Sequence, residues 1–345
     1  MSEPRLSVLM TVYNGGAYLR PAIDSVLAQD FADFEFVIVD DGSTDGSVEV
    51  VRAVGDPRIR LHVNDRNRGQ TPSLNIGLRL CRGTYIARLD ADDLCLPGRF
   101  RRQVAFLDTH PAVGIVGGSV RMIDGAGRPL EHSPLPQDDA ALRWLSMTRN
   151  PFHHPAVTLR RDVIERTGHY FDEQYGANQD YDLWDRLIAH TQIANLAEDV
   201  VAYRVHGNNI SVLRLGEQQA MSLRFGARRI ATETGMAVAP EELAGIYAAV
   251  HGSRIVCDTV PVPPAQAVQA LLDLTDAYLA RRPKATSARR LAAALALRAW
   301  LVRPMGAARS VLLCRIMRLS MLAPFDATRL LAPQIAGAFR RRAAS

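Results

Sequence analysis

The chain has one lysine, Lys284, among 345 residues; every other basic side chain is an arginine. A Walker A phosphate loop needs a lysine to reach the outer phosphates of a nucleotide, and residues 1–283 supply none, so that class is excluded. A lysine Schiff base would have to rest on Lys284, inside the basic stretch Arg281-Arg282-Pro283-Lys284 and away from any pocket signal. The four cysteines, Cys81, Cys95, Cys257 and Cys314, form no C-x-x-C pair. Neither a structural zinc site nor a disulfide framework is therefore expected, and a reducing compartment fits best. Long apolar runs are missing too. Val311–Ala323 is broken by Arg315 and Arg318, and Leu6–Tyr13 is too short for a signal peptide, so neither a membrane span nor a leader is expected. No G-x-G-x-x-G follows the first apolar run, and H-E-x-x-H and G-x-S-x-G are absent. Nicotinamide-dependent, zinc-protease and α/β-hydrolase chemistries thus lack their signatures.

What is present suits a packed core: 48% of residues are hydrophobic and 22% charged. The net charge of +5 conceals an asymmetry, because residues 281–345 carry 14 basic residues against the single acid Asp326. The rest of the chain is acidic. In residues 286–342 arginines interleave with Leu, Ala, Val, Met and Trp300 at helical spacing. Two readings stand: a helical bundle on an arginine-biased chain, or basic amphipathic helices resting on the inner face of the cytoplasmic membrane. No nucleic-acid fold accompanies the arginines, so nucleic acid is not expected as a partner.

Strand and helix signals alternate through the first 120 residues. Leu6–Tyr13, Phe34–Val39, Arg58–Val63, Tyr85–Leu89 and Val113–Val120 read as strands, separated by stretches with helical periodicity. This is the pattern of βαβ units and a mainly parallel sheet. Thr71-Pro72 looks like an N-cap with proline at the first helical position. From 121 to 215 the pattern is mixed, with a turn at Asp124-Gly125, a short strand at Ala156–Leu159 and a helix at Asp180–Ile188. From 216 onward Ala, Leu and Arg recur at helical spacing without a strand, and Pro261-Val262-Pro263-Pro264 divides that part in two. Two domains are expected, 1–215 and 216–345.

Ligands of open parallel sheets bind outside the carboxyl ends of the strands. Three features fall there: Thr11-Val12-Tyr13-Asn14, Asp40-Asp41-Gly42-Ser43 and Asp90-Ala91-Asp92-Asp93. In the last, three carboxylates in four residues repel one another unless a cation sits among them. Hard divalent ions take oxygen ligands and keep diphosphate oxygens in their shell, so the pattern suits a metal that neutralises a leaving diphosphate. A solvated acidic turn capping the next helix is the plainer alternative.

Together these blocks resemble family-2 glycosyltransferases of the GT-A fold. So do Asn67-Arg68-Gly69 with Asn75-Ile76-Gly77, Asn178-Gln179-Asp180-Tyr181-Asp182-Leu183-Trp184, and Tyr203-Arg204-Val205-His206. The resemblance runs in order over residues 4–212 and stops short of the tail. It implies a Rossmann-like mixed α/β sheet flanked by helices, with a helical C-terminal region beyond it. It also implies inverting, metal-dependent transfer of a sugar from a nucleotide-diphosphate donor, UDP-linked, to a glycan or lipid-linked acceptor. Thr11, Tyr13, Asn14, Asp40 and Asp41 would grip the nucleotide, joined by Arg68, Asp90 and Ala91. Asp92 and His206 would hold Mn2+ or Mg2+, and Asp180 would be the catalytic base. The family's Glu before that base is Gln179 here. His154, where the family often has His-Pro, reads as structural or acceptor-lining. A sugar nucleotidyltransferase and an inactive GT-A-like binding module are the other readings.

Overall fold

The computed structural model describes residues 3–207, 209, 213–251, 264–302 and 309–321. They belong to two compact units: residues 1–137 with 152–218, and residues 138–151 with 219–345.

The first unit is built on one mixed sheet. Its strands are β1 (Leu6–Val12), β2 (Phe34–Asp40), β3 (Ile59–Val63), β4 (Tyr85–Arg88), β5 (Leu94–Cys95), β6 (Val113–Asp124), β7 (Pro129–Ser133), β8 (Thr158–Arg160) and β9 (Gln192–Val205). The spatial order is β3-β2-β1-β4-β8-β6-β9-β5, with β7 on the free side of β6. Strands β3, β2, β1 and β4 run parallel, while β8 is antiparallel to both β4 and β6. Helices α1 (Gly16–Leu27), α2 (Ser47–Val54), α3 (Gln70–Leu80) and α4 (Arg99–Thr109) make the crossovers. Every residue of β1 and β2 is buried, as a parallel sheet covered on both faces requires. Leu19, Ile23 and Val26 of α1 join Phe36, Phe100 and Val104 in that core.

Register sets the level of each loop. Val12 lies opposite Asp40, so the two following loops leave the sheet side by side. Arg88 lies opposite Leu9, which starts the Asp90–Asp93 turn lower, beneath those loops. The mixed region 121–215 holds more strand than its pattern suggested. β9 pairs in parallel with β6 as far as Asp124 opposite Val205, through bulges near Gly118–Val120. β5 then pairs antiparallel with β9, Leu94 opposite Ala202. This pairing carries the residues after Val205 back to the Asp90–Asp93 turn.

Two local expectations need correction. Thr71 is not an N-cap: α3 begins at Gln70 after Gly69, whose φ is 95°, and the Thr71 hydroxyl donates to the Tyr175 carbonyl at 2.9 Å. The strand expected at 156–159 is Thr158–Arg160, preceded by a single 3₁₀ turn, His154–Ala156. Helices α5 (Asp139–Leu145), α6 (Arg161–Thr167) and α7 (Gln179–Ile188) complete the middle of the chain.

The second unit is helical throughout its described residues: α5, most of α8 (Leu215–Thr234), α9 (Pro240–His251), α10 (Pro264–Arg281), α11 (Thr286–Val302) and α12 (Arg309–Met321). It claims 138–151, which lies inside the expected 1–215 domain. The reason is packing. Trp144 of α5 is fully buried with its Nε1 donating to Thr275, and the Tyr278 hydroxyl donates to the Ala140 carbonyl at 2.9 Å. Of the arginine-rich stretch 286–342, residues 303–308 and 322–342 lie outside the described residues, as do Cys257 and Pro261–Pro263. Among the described residues no helix is long and apolar enough to cross a membrane.

Candidate active site at the carboxyl rim of the sheet

The loops after β1 and β2 are stapled to each other. Asn14, held at φ 51°, donates its N–H to the Ser43 hydroxyl at 2.9 Å and accepts from the Thr44 N–H at 2.9 Å. The Gly15 and Gly16 N–H groups donate to the Ser47 hydroxyl and the Asp45 carboxylate. Gly42 is obligatory here: at φ 73°, a β-carbon would lie 2.6 Å from the Arg66 backbone.

This frame sorts the expected nucleotide residues by what their polar atoms already do. Asp41 is buried, and its carboxylate accepts from the Asn64 amide and from the Arg68 and Gly69 N–H groups at 2.8–2.9 Å. Its carboxylate builds the loop and the start of α3. Asn14 likewise spends its amide oxygen on the loop. Asp40 differs. It is fully buried, its Oδ1 accepts the Ser43 N–H at 2.8 Å, and its Oδ2 has no partner. A buried carboxylate oxygen left open is costly unless a ligand N–H meets it. Tyr13 is 50% exposed, so its ring is a free stacking face and not core packing. Thr11 accepts from the Arg88 guanidinium at 3.3 Å, and Arg68 pairs at the surface with Asp65.

Below them, the Asp90–Asp93 turn rests on a buried cation. Arg88 ends an apolar strand, yet its guanidinium donates to Asp90 Oδ1 at 2.5 Å, to the Leu89 carbonyl, and to the Leu9 carbonyl at 3.3 Å. Asp90 is thereby partly neutralised from beneath. Ala91, the small residue between, packs against the sheet core. Asp92 Oδ2 meets His206 Nε2 at 2.9 Å across 114 residues, with the Asn209 amide 3.4 Å from the same oxygen. Asp93 is buried; its Oδ1 accepts the Arg204 N–H at 2.7 Å and its Oδ2 has no partner. Burial first, then the Asp90 charge, raises Asp92 above the usual carboxylate range despite the His206 contact. Asp93 is pushed well above that range by burial and by both neighbouring acids. The Tyr18 ring braces this corner, 4.7 Å under the Arg204 guanidinium and 5.0 Å from the His206 ring.

A divalent ion fits these residues. One carboxylate and one imidazole converge, and two adjacent acids carry more like charge than their buried setting favours. Among the described residues no group of three His, Cys, Asp or Glu side chains converges as a closed metal cage. An ion here would therefore draw its other ligands from a substrate or water.

Asp180 is the second residue of α7, buried, in the turn where the helix dipole favours an anion. The preceding loop is tied to α3: Asn75 accepts the Phe171 N–H and donates to the Phe171 carbonyl and Glu173. Gln179 donates to Gln70, the first residue of α3, at 3.0 Å, so the position of the usual Glu is a strut between helices. Asp182 pairs with Arg186 at 2.8 Å, a structural contact. His154 lies close enough to both Asp180 and Asp90 for each charge to act on its ring. Arg88, Tyr18, Arg204 and Asn209 were missed as site residues. For Arg88 a signal existed: a charge inside the apolar run Tyr85–Leu89.

The chain matches the family model "Glycosyl transferase family 2" over residues 7–168. It is 30% identical over 214 residues to the amylovoran biosynthesis glycosyltransferase AmsE of Erwinia amylovora, covering 60% of this chain and 79% of AmsE. Among solved structures it resembles residues 1–349 of S. aureus TarS in complex with UDP-GlcNAc. There the TM-score is 0.58 and the identity 19%, over 86% of this chain and 88% of that one. It also resembles the mannosyltransferase PcManGT from Pyrobaculum calidifontis in complex with GDP-Man and Mn2+, with TM-score 0.53 and 20% identity over 94% and 88% of the two chains. These likenesses are of fold: the GT-A sheet with additional C-terminal helices. The family match and AmsE identify the chain as a glycosyltransferase, and it belongs to family 2.

Proposed function

We propose that this protein transfers a sugar, with inversion, from a UDP-linked donor to a hydroxyl of a growing surface glycan or lipid-linked acceptor. The observation that carries the reading is the Asp92–His206 pair beside Asp90, with the buried Asp180 and Asp90 both within electrostatic reach of His154. Tyr13 stacks on the base of the nucleotide, and the open Asp40 Oδ2 accepts its ring N–H. Asp90, oriented by Arg88, accepts from the ribose. Asp92 and His206 hold the divalent ion, Mn2+ or Mg2+, which when bound supplies positive charge to the diphosphate.

Asp180 accepts the proton of the acceptor hydroxyl as that oxygen attacks the anomeric carbon from the face opposite the diphosphate. The glycosidic bond to the diphosphate breaks, the new one forms, and configuration inverts. Burial on the first turn of α7 holds the carboxylate in one orientation. A polysaccharide acceptor draws support from AmsE, a relative named for amylovoran biosynthesis.

The test compares wild type with Asp180→Asn. UDP with Mn2+ should raise the melting temperature of both, since a ligand of the folded state stabilises it. UDP release from the donor should fall roughly 10²- to 10⁴-fold in the variant, the usual contribution of a general base. An active variant, or a wild type unmoved by any nucleoside diphosphate, overturns the reading.

A further inference from the structure

Two adjacent histidines precede β8 and are treated differently by the fold. His153 brings its Nε2 to the Ser133 carbonyl at 3.3 Å. His154 has an Nε2 that is shut off from solvent and has no hydrogen-bond partner, although the residue as a whole keeps partial exposure. Its ring is gripped edge-on by Phe171 at 5.8 Å and Trp184 at 6.2 Å, with Pro155 fixing the backbone beyond it. Phe171 offers no polar group, and the one donor of Trp184, its Nε1–H, is likewise buried without a partner. A buried imidazole nitrogen without a partner is a cost to the fold, so a group held this firmly and left unpartnered marks where a ligand atom belongs.

Charge and position narrow the ligand. Burial, and then Arg88, keep the imidazole pKa low, so the ring is neutral at physiological pH. A neutral imidazole suits an uncharged hydroxyl, which can donate to or accept from Nε2 in either tautomer. The ring lies within electrostatic range of Asp90 at one end and Asp180 at the other. In an inverting transfer the sugar ring lies between the diphosphate and the base, the two ends whose carboxylates, Asp90 and Asp180, both act on the His154 ring.

We propose that His154 binds the transferred sugar, its Nε2 hydrogen-bonding a ring hydroxyl of the donor. This rests on the donor reading above and assigns a sugar contact to it. His154 then discriminates among donors by the hydroxyl it meets, while the nucleotide is held elsewhere, by Tyr13 and Asp40.

The test is calorimetric and needs no acceptor. UDP and the sugar nucleotides UDP-glucose, UDP-galactose and UDP-GlcNAc are titrated with Mn2+ into wild type, His154→Phe and His154→Gln. Phenylalanine keeps a planar ring among Phe171 and Trp184, while glutamine reaches the Nε2 position with a polar atom. The expected result is unchanged UDP affinity in both variants. The best-bound sugar nucleotide should weaken about fivefold in His154→Phe, the size of one neutral hydrogen bond, and recover in His154→Gln. Equal affinities of wild type and His154→Phe for every sugar nucleotide overturn the proposal, as does parallel loss of UDP binding. A wild type that binds no UDP fails earlier, at the donor reading, and takes this contact down with it.

Discussion

Strand β2 carries two buried carboxylates, one near each end, and the sheet treats them in opposite ways. Glu35, at the amino end, accepts from the Ser7 hydroxyl, the Arg60 guanidinium, and both the N–H and the guanidinium of Arg82, all between 2.6 and 3.0 Å. Asp40, at the carboxyl end, is more deeply buried, yet one of its oxygens has no partner. The saturated acid ties β1, β2, β3 and the turn before β4 together. The open acid faces the rim where ligands of such sheets bind. A buried charge with every lone pair used is architecture; one with a lone pair left over is an invitation to a ligand. Glu233 in the second unit follows the first rule, held by Arg229, Arg282 and, at 3.8 Å, Arg143.

The contrast is breakable at both ends. Glu35→Gln leaves several donors facing a neutral amide and should destabilise the protein by roughly 2 kcal/mol at neutral pH. Burial pushes Glu35 up, but its hydrogen bonds outweigh that, and its pKa falls below the ordinary 4.5. A depressed carboxylate stabilises fully above its unfolded value and loses that contribution as pH falls through the folded one. The gap between wild type and Glu35→Gln in denaturant titrations should therefore be widest at neutral pH and shrink below pH 4.5. A gap that stays constant with pH would place the stabilisation elsewhere.

Asp40→Asn should do the reverse. Its amide oxygen still accepts the Ser43 N–H, so the unfolding midpoint should scarcely move, while UDP affinity drops about tenfold through loss of one charge-assisted hydrogen bond. Undiminished UDP binding, or a large loss of stability, would erase the distinction between the two ends.

How much of this could be read from the chain depends on the range of the contact. The β1–β4 alternation, the Asp90–Asp92 pair and the rim position of Asp40 follow from local pattern, because strand ends and acidic turns are written in a few adjacent residues. His206 beside Asp92 came from resemblance; its physical cause, the β6–β9 pairing across about 80 residues and the β5–β9 pairing across more than 100, leaves no local trace. Asp41 shares its block with Asp40, and only the folded loop shows the Arg68 and Gly69 N–H groups using its carboxylate. Thr71 misled for the same reason: Gly69 starts α3 two residues sooner than the cap pattern suggests. The allegiance of 138–151 to the second unit rests on Trp144 meeting Thr275, a contact between residues 131 apart.

The central claim is that Asp92, His206 and Asp180 serve one donor. Anomalous diffraction from crystals grown with Mn2+ and UDP tests it most directly. The account predicts one manganese peak bound by Asp92 and His206, with UDP on Tyr13 and the Asp180 carboxylate opening into the same cleft. Manganese bound away from that pair, or Asp180 facing a different cavity, would contradict it.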